Sequence, residues 1–160
     1  METLFENTLL SSWLRTLGEA TAFDVATLES AVSNVPLSIA DVQQYIRFDL
    51  DHYTRSLIFE SDRFQVLCLG WLPGQGSPVH SHGASVCAVR ILQGIATERL
   101  FNTIEETVPT KTRHWSVGNV AVSDGKLIHS ITNETVHPLV TLHVYSPPLV
   151  RMTPVNAIQK

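Results

Sequence analysis

The chain has 160 residues, 44% of them apolar, and a formal net charge of −4. That length fits one domain able to bury roughly two-thirds of its unfolded surface, and the apolar content excludes a disordered chain. Lysine occurs only at Lys111, Lys126 and Lys160, so the basic patch that a phosphate backbone requires is missing and nucleic acid is excluded as a partner.

Glu2 and Glu6 precede any apolar run, which argues against a secretory leader. No apolar stretch has the length to cross a bilayer. The expectation is a soluble, cytoplasmic monomer with no membrane partner. Cys68 and Cys87 are the only cysteines, and a cytosolic chain of this size needs no structural disulfide. Cys68, between Leu67 and Leu69, reads as a small buried apolar residue.

Along the chain, helical spacing comes first. Leu4, Leu9, Trp13, Leu14 and Leu17 fall near one helical face, with Gly18 as the stop. Residues 23–33 predict a second helix, with Phe23, Val25, Leu28 and Val32 turned inward. Pro36 interrupts it. Ser38, three residues before Asp41, marks a capping box for a third helix through Val42, Tyr45 and Ile46. After Arg63 the pattern shortens to strands: 64–72, 85–92, 95–101, 119–123, 127–132 and 139–145. Turn residues Pro73-Gly74, Gly76, Gly94, Gly118 and Asp124-Gly125 separate them. Helices first and many short strands afterwards predict an α+β, mostly β layout. Its strands form a closed barrel or a sandwich, since closure removes exposed edges. We expect a single domain over 1–160, with residues 1–50 as helices packed on a barrel at residues 60–150.

His80 and His82 are two apart. On a strand, alternate side chains share a face, so both imidazoles can meet one metal. Alone, His-x-His is weak evidence. Here Gly74 lies six residues before His80, Gly94 twelve after His82, His129 falls in a later strand, and Asn133 lies four beyond it. This layout resembles the two motifs of the cupin family, with two departures. Asp124 stands where many cupins have proline, and Gly125 comes one residue late. The resemblance implies a double-stranded β-helix, or jelly-roll, barrel holding a metal on His80, His82 and His129. Three imidazoles leave open positions, the mark of a catalytic site, and suit iron, copper, nickel or zinc. Many cupins add a glutamate five residues after the second histidine; Cys87 stands there. As a thiolate it would itself be a ligand and favour zinc.

Further segments narrow the resemblance to the cysteine dioxygenases, iron-dependent cupins that oxidise the thiol of free L-cysteine to a sulfinate. They are Tyr53-Thr54-Arg55, Trp71 through Pro78, His80-Ser81-His82 with Ser85 and Cys87, His129, and Leu142 through Pro148. That resemblance implies a cofactor, Fe(2+), two reactants, L-cysteine and O2, and a role for each matching side chain. By the same resemblance, Arg55 clamps the substrate carboxylate through two parallel hydrogen bonds, and Tyr53 assists. Cys87 and Tyr145 match the pair that forms a thioether cross-link in animal members. Thr141, His143 and Tyr145 stand at the positions of a serine–histidine–tyrosine relay, with Thr141 a departure whose hydroxyl still hydrogen-bonds. Trp71 packs against the substrate pocket, and Pro78 shapes the loop before His80, where a cis Ser77-Pro78 bond is open. Two alternatives remain open on the sequence. One is a 3-mercaptopropionate dioxygenase, whose relatives carry glutamine where Arg55 stands. The other is a non-redox metal-binding cupin, an isomerase or a sensor for a small acid.

Overall fold

A computed structural model describes residues 8–149 of the chain. Helix α1 spans Leu9–Glu19 and starts at Thr8, whose side chain accepts from the Ser11 N–H at 3.1 Å. Its buried stripe is Leu10, Trp13, Leu14 and Leu17, the i, i+3, i+4, i+7 pattern of one helical face. Leu9 is 37% exposed, contrary to expectation, because Leu10 rather than Leu9 falls on that stripe. The expected contribution of Leu4 lies outside the described residues. Helix α2 spans Val25–Ser33 behind an Asp24 cap that accepts from the Thr27 N–H at 2.7 Å. Leu28 and Val32 are fully buried, whereas Val25 is exposed. At that end the apolar cover comes from Phe23, which packs on Phe64 at 5.5 Å.

The Ser38 box forms: the Asp41 carboxylate accepts from the Ser38 N–H at 2.7 Å and from its hydroxyl at 3.0 Å. The element it opens is a 3-10 helix, Ile39–Tyr45, rather than an α-helix. Ile46 is already extended, and so short a run closes i→i+3 bonds more readily than i→i+4.

Eight strands follow: β1 Thr54–Glu60, β2 Gln65–Trp71, β3 Val86–Gln93, β4 Ala96–Phe101, β5 Lys111–Trp115, β6 Val120–Ser123, β7 Ile128–Thr132 and β8 Leu139–Ser146. Six match the expected runs. β1 and β5 fall outside them, because polar residues interrupt both and neither has a buried position. The strands form two sheets, ordered β1-β2-β8-β3-β6 and β5-β4-β7. Among the described residues the sheets do not close into a barrel. Only two isolated bridges, Gly76 to Thr132 and His80 to His129, tie the segment after β2 to β7. Between them the register slips by one residue, and the Ile131 N–H goes to the Ser77 hydroxyl instead of a backbone carbonyl, so no continuous ladder forms.

Alternation along the central strands divides the core in two. Val66 and Cys68 of β2, Ala88 and Leu92 of β3, and Val140, Leu142 and Val144 of β8 pack against the helices. Leu67, Leu69 and Trp71, Cys87, Val89 and Ile91, and Leu139 and Tyr145 face inward between the sheets. Cys68 is thus buried on the helix side, at 1% exposure, where burial pushes its thiol up to about 11. Arg90 ties helix to sheet by donating to the carbonyls of Val32 and Val35 at 2.8 and 2.6 Å, carbonyls that the end of α2 leaves unbonded. Among the described residues no helix is long and apolar enough to cross a membrane.

Candidate metal centre

The inner faces of the two sheets enclose a cavity of about 450 Å³ lined by His80, His82 and His129 together with Arg55, Trp71 and Tyr145, among others. That is a volume suited to a small molecule. His129 sits on β7. His80 and His82 are not on a regular strand, contrary to the expectation from their spacing. They belong to a strap laced onto β7 by single bonds. Asn133 N–H donates to Gln75 O and Ser77 N–H to Ile131 O, each at 2.8 Å, and His80 and His129 exchange two backbone bonds of 2.9 Å. The Ser77 hydroxyl accepts from Ile131 N–H at 3.0 Å. This lacing keeps the strap extended enough for both imidazoles to face inward. The cis peptide bond of this region is Ser146-Pro147 and not Ser77-Pro78.

Gly125 explains the late glycine of the second motif. Its carbonyl accepts from His82 N–H at 3.1 Å, and a Cβ there would collide with the Gly83 backbone carbonyl. Only glycine lets the two loops approach closely enough to seat His82. Asn133, fully buried, donates to the carbonyls of Trp71 and His137 at 3.0 and 2.8 Å and so ties the end of β7 to β2.

The ligand-capable nitrogens of the three histidines lie within 4.8 Å of one another. His80 Nδ1 lies 2.7 Å from Pro78 O; a carbonyl only accepts, so Nδ1 carries the proton and Nε2 keeps a free lone pair. His129 Nδ1 likewise donates to Glu98 Oε1 at 2.9 Å. His129 Nε2 is buried with no hydrogen-bond partner, and the Nε2 atoms of His80 and His82 are 3.1 Å apart. Burial, then the neighbouring His129, lowers His80 to about 4. Burial, then His80, lowers His82 to about 3. Both are therefore neutral near pH 7. Three imidazoles converging on one point are the donor set for a divalent transition metal.

Cys87 does not belong to this set. It is buried at 1% exposure directly across from Tyr145. Burial pushes its thiol far up, so the thiolate needed for a zinc ligand is disfavoured. Its cross-strand partner Tyr145 opposes that rise only in part.

Thr141, His143 and Tyr145 alternate along β8 and form one chain. Thr141 Oγ1 lies 2.8 Å from His143 Nε2, and His143 Nδ1 lies 2.9 Å from the Tyr145 hydroxyl. Trp71 Nε1–H donates to Thr141 Oγ1 at 2.9 Å. An indole can only donate, which leaves the Thr141 hydroxyl proton for His143 Nε2. His143 Nδ1–H then points to the Tyr145 oxygen. Burial holds His143 well below its ordinary value and Tyr145 well above its own, so both are neutral. Arg55 lies on β1 opposite Leu69 and lines the cavity. Tyr53 stacks on Trp71 with ring centroids 4.3 Å apart, and burial raises its hydroxyl so that it stays protonated.

The sequence profile of the family "Cysteine dioxygenase type I" matches residues 8–156. The chain belongs to the cysteine dioxygenase type I family. Its relatives include cysteine dioxygenase type 1 of Danio rerio, 29% identical over 84% of this chain and 71% of that one. The Homo sapiens protein is 30% identical over 87% and 74%, and that of Rattus norvegicus 33% identical over 77% and 63%. Among solved structures, one from Thermus thermophilus superposes with a TM-score of 0.59 at 23% identity, covering 70% of this chain and 99% of that one. A Klebsiella pneumoniae protein with a double-stranded β-helix domain gives 0.58 at 19%, covering 81% and 91%. These likenesses support the fold alone.

The residues expected at the site line this one cavity except Thr141 and Cys87, which lie behind it against His143 and Tyr145. Sequence reasoning missed Glu98, with Arg113 and Trp115 around it, and the bond from Trp71 to Thr141. Glu98 had a signal: it shares an inward-facing position with Ala96 in a strand whose charge should point outward.

Proposed function

We propose that this chain is an iron(II)-dependent thiol dioxygenase that converts L-cysteine and O2 to cysteine sulfinic acid. The observation that carries the reading is a three-histidine site, with no carboxylate in the group among the described residues, that shares one cavity with Arg55 and Tyr145. His80, His82 and His129 would hold iron, which when bound supplies the redox chemistry that brings dioxygen to sulfur. Both oxygen atoms end on sulfur, which gives up four electrons as dioxygen takes them, so no external reductant is needed.

The rest of the work belongs to side chains. Arg55 binds the substrate carboxylate as a paired donor, with the protonated Tyr53 hydroxyl beside it. Trp71 closes the pocket wall and orients Thr141. His143, kept neutral, holds the Tyr145 oxygen through Nδ1–H, which leaves the Tyr145 hydroxyl proton free to be donated into the cavity. Leu69, Val89 and Ile131 exclude water along the apolar wall. Cys87 and Tyr145 form a thioether between sulfur and ring. That bond costs each partner one hydrogen, with dioxygen taking the two electrons. Intact-mass analysis after turnover checks it, and persistent absence of a two-hydrogen loss rejects the link. We place the enzyme in the cytoplasm as a monomer, in keeping with two free cysteines; size-exclusion chromatography tests the monomer.

The test of the reaction is oxygen uptake by iron-loaded protein with cysteine, with product analysis. Stoichiometric sulfinate supports the proposal, and uptake without sulfinate overturns it. A clear kcat/KM preference for 3-mercaptopropionate would move the substrate to a thiol without the α-amine.

A further inference from the structure

Glu98 is a buried carboxylate, 3% exposed, with no part in the proposed reaction. Its two oxygens are divided. Oε2 receives Arg113 Nη2 at 2.9 Å, Arg113 Nε at 3.2 Å and Trp115 Nε1 at 2.7 Å. Oε1 accepts from His129 Nδ1 at 2.9 Å. The sheet builds this arrangement: Arg113 is the cross-strand partner of Glu98 on β5, while His129 lies diagonally across on β7.

We infer that Glu98 is a positioning residue of the metal centre, acting through His129 to bring negative charge to a site whose three imidazoles bring none. A carboxylate on Nδ1–H orients the ring, fixes the tautomer and raises the electron density at Nε2, the atom that faces His80 and His82. Trp115 donates to Oε2 and so keeps the carboxylate aimed. Arg113 withdraws charge from it, which makes Arg113 a counterweight. A plain sheet staple would not need Oε1 turned inward to a buried imidazole, since an Arg–Glu pair at this edge can form in solvent at little cost. The inference rests on the proposed metal site.

The experiment is an anaerobic chelator competition on wild type, Glu98→Gln and Arg113→Met, with Fe(2+) and separately with Co(2+), plus the Fe(III)/Fe(II) potential of each. Glu98→Gln should bind both metals about 10–100-fold more weakly and shift the potential upward. Arg113→Met, at a position 30% exposed, should not lose affinity and should shift the potential downward. Opposite shifts support the inference. An unchanged Glu98→Gln, or parallel losses and parallel shifts in both variants, overturns it. If Glu98→Gln does not fold, the direction of the Arg113→Met shift decides. Cobalt keeps this test separate from the functional reading: failure of wild type to take up iron while it binds cobalt strikes the reaction, not Glu98.

Discussion

Replacing Thr141 by valine removes one hydroxyl and almost no volume. Thr141 is fully buried, with Trp71 and His143 at 1% and 3% exposure. The hydroxyl joins Trp71 Nε1 at 2.9 Å to His143 Nε2 at 2.8 Å. Valine therefore strands one buried donor and one buried acceptor. Each such group costs about 1–3 kcal/mol, so Thr141→Val should lose about 2–6 kcal/mol. Thr141→Ser removes only a methyl, about 1 kcal/mol with little cavity, and keeps both bonds. Urea unfolding should rank the variants wild type, serine, valine, with a wide second gap. Oxygen uptake should fall further in valine than in serine, because His143 loses the bond that keeps its proton on Nδ1, facing Tyr145. If valine matches serine in both stability and turnover, the hydroxyl is not the hinge of the relay and the reasoning fails.

Gly125→Ala should fold yet lose metal, because a Cβ there meets the Gly83 carbonyl and pushes away the loop that seats His82; iron content after gel filtration, read beside circular dichroism, checks both halves. Arg55→Gln should retain iron but lose a charge-assisted bond to the carboxylate, about 1.5–3 kcal/mol, which is roughly tenfold to a hundredfold in kcat/KM for cysteine; unchanged efficiency would remove the clamp. The pH dependence has a definite sign. His80 and His82 titrate at about 4 and about 3 in the folded metal-free protein against 6.5 ordinarily, so between these limits the unfolded chain binds more protons. Stability of the metal-free protein should be steady above about pH 7 and fall as pH drops from about 6.5 to about 4, by up to about 1.4 kcal/mol per unit for each histidine. Urea midpoints across that range should show the fall, and a flat profile would contradict it.

The metal triad was legible because its signal is chemical and local. His-x-His between spaced glycines, a later histidine, and Arg55 and Tyr145 at family spacing name residue types that few other roles require. Six of the strands were legible too, since each is an apolar run between turn residues. β1 and β5 were not, because Thr54, Arg55 and Ser56 and then Lys111 through His114 give them a polar stretch that reads as loop. Nor did the sequence alone reveal that the sheets stay open: this depends on a one-residue register slip between the strap after β2 and β7, segments far apart in the chain. Glu98, Arg113 and Trp115 became a unit only through cross-strand register, and Trp71 met Thr141 only when β2 lay beside β8. Sequence by itself determined which groups this protein has for holding a metal and an acid. Tertiary structure decided how each is hydrogen-bonded, and hence which nitrogen carries a proton, because that depends on neighbours brought together from distant parts of the chain.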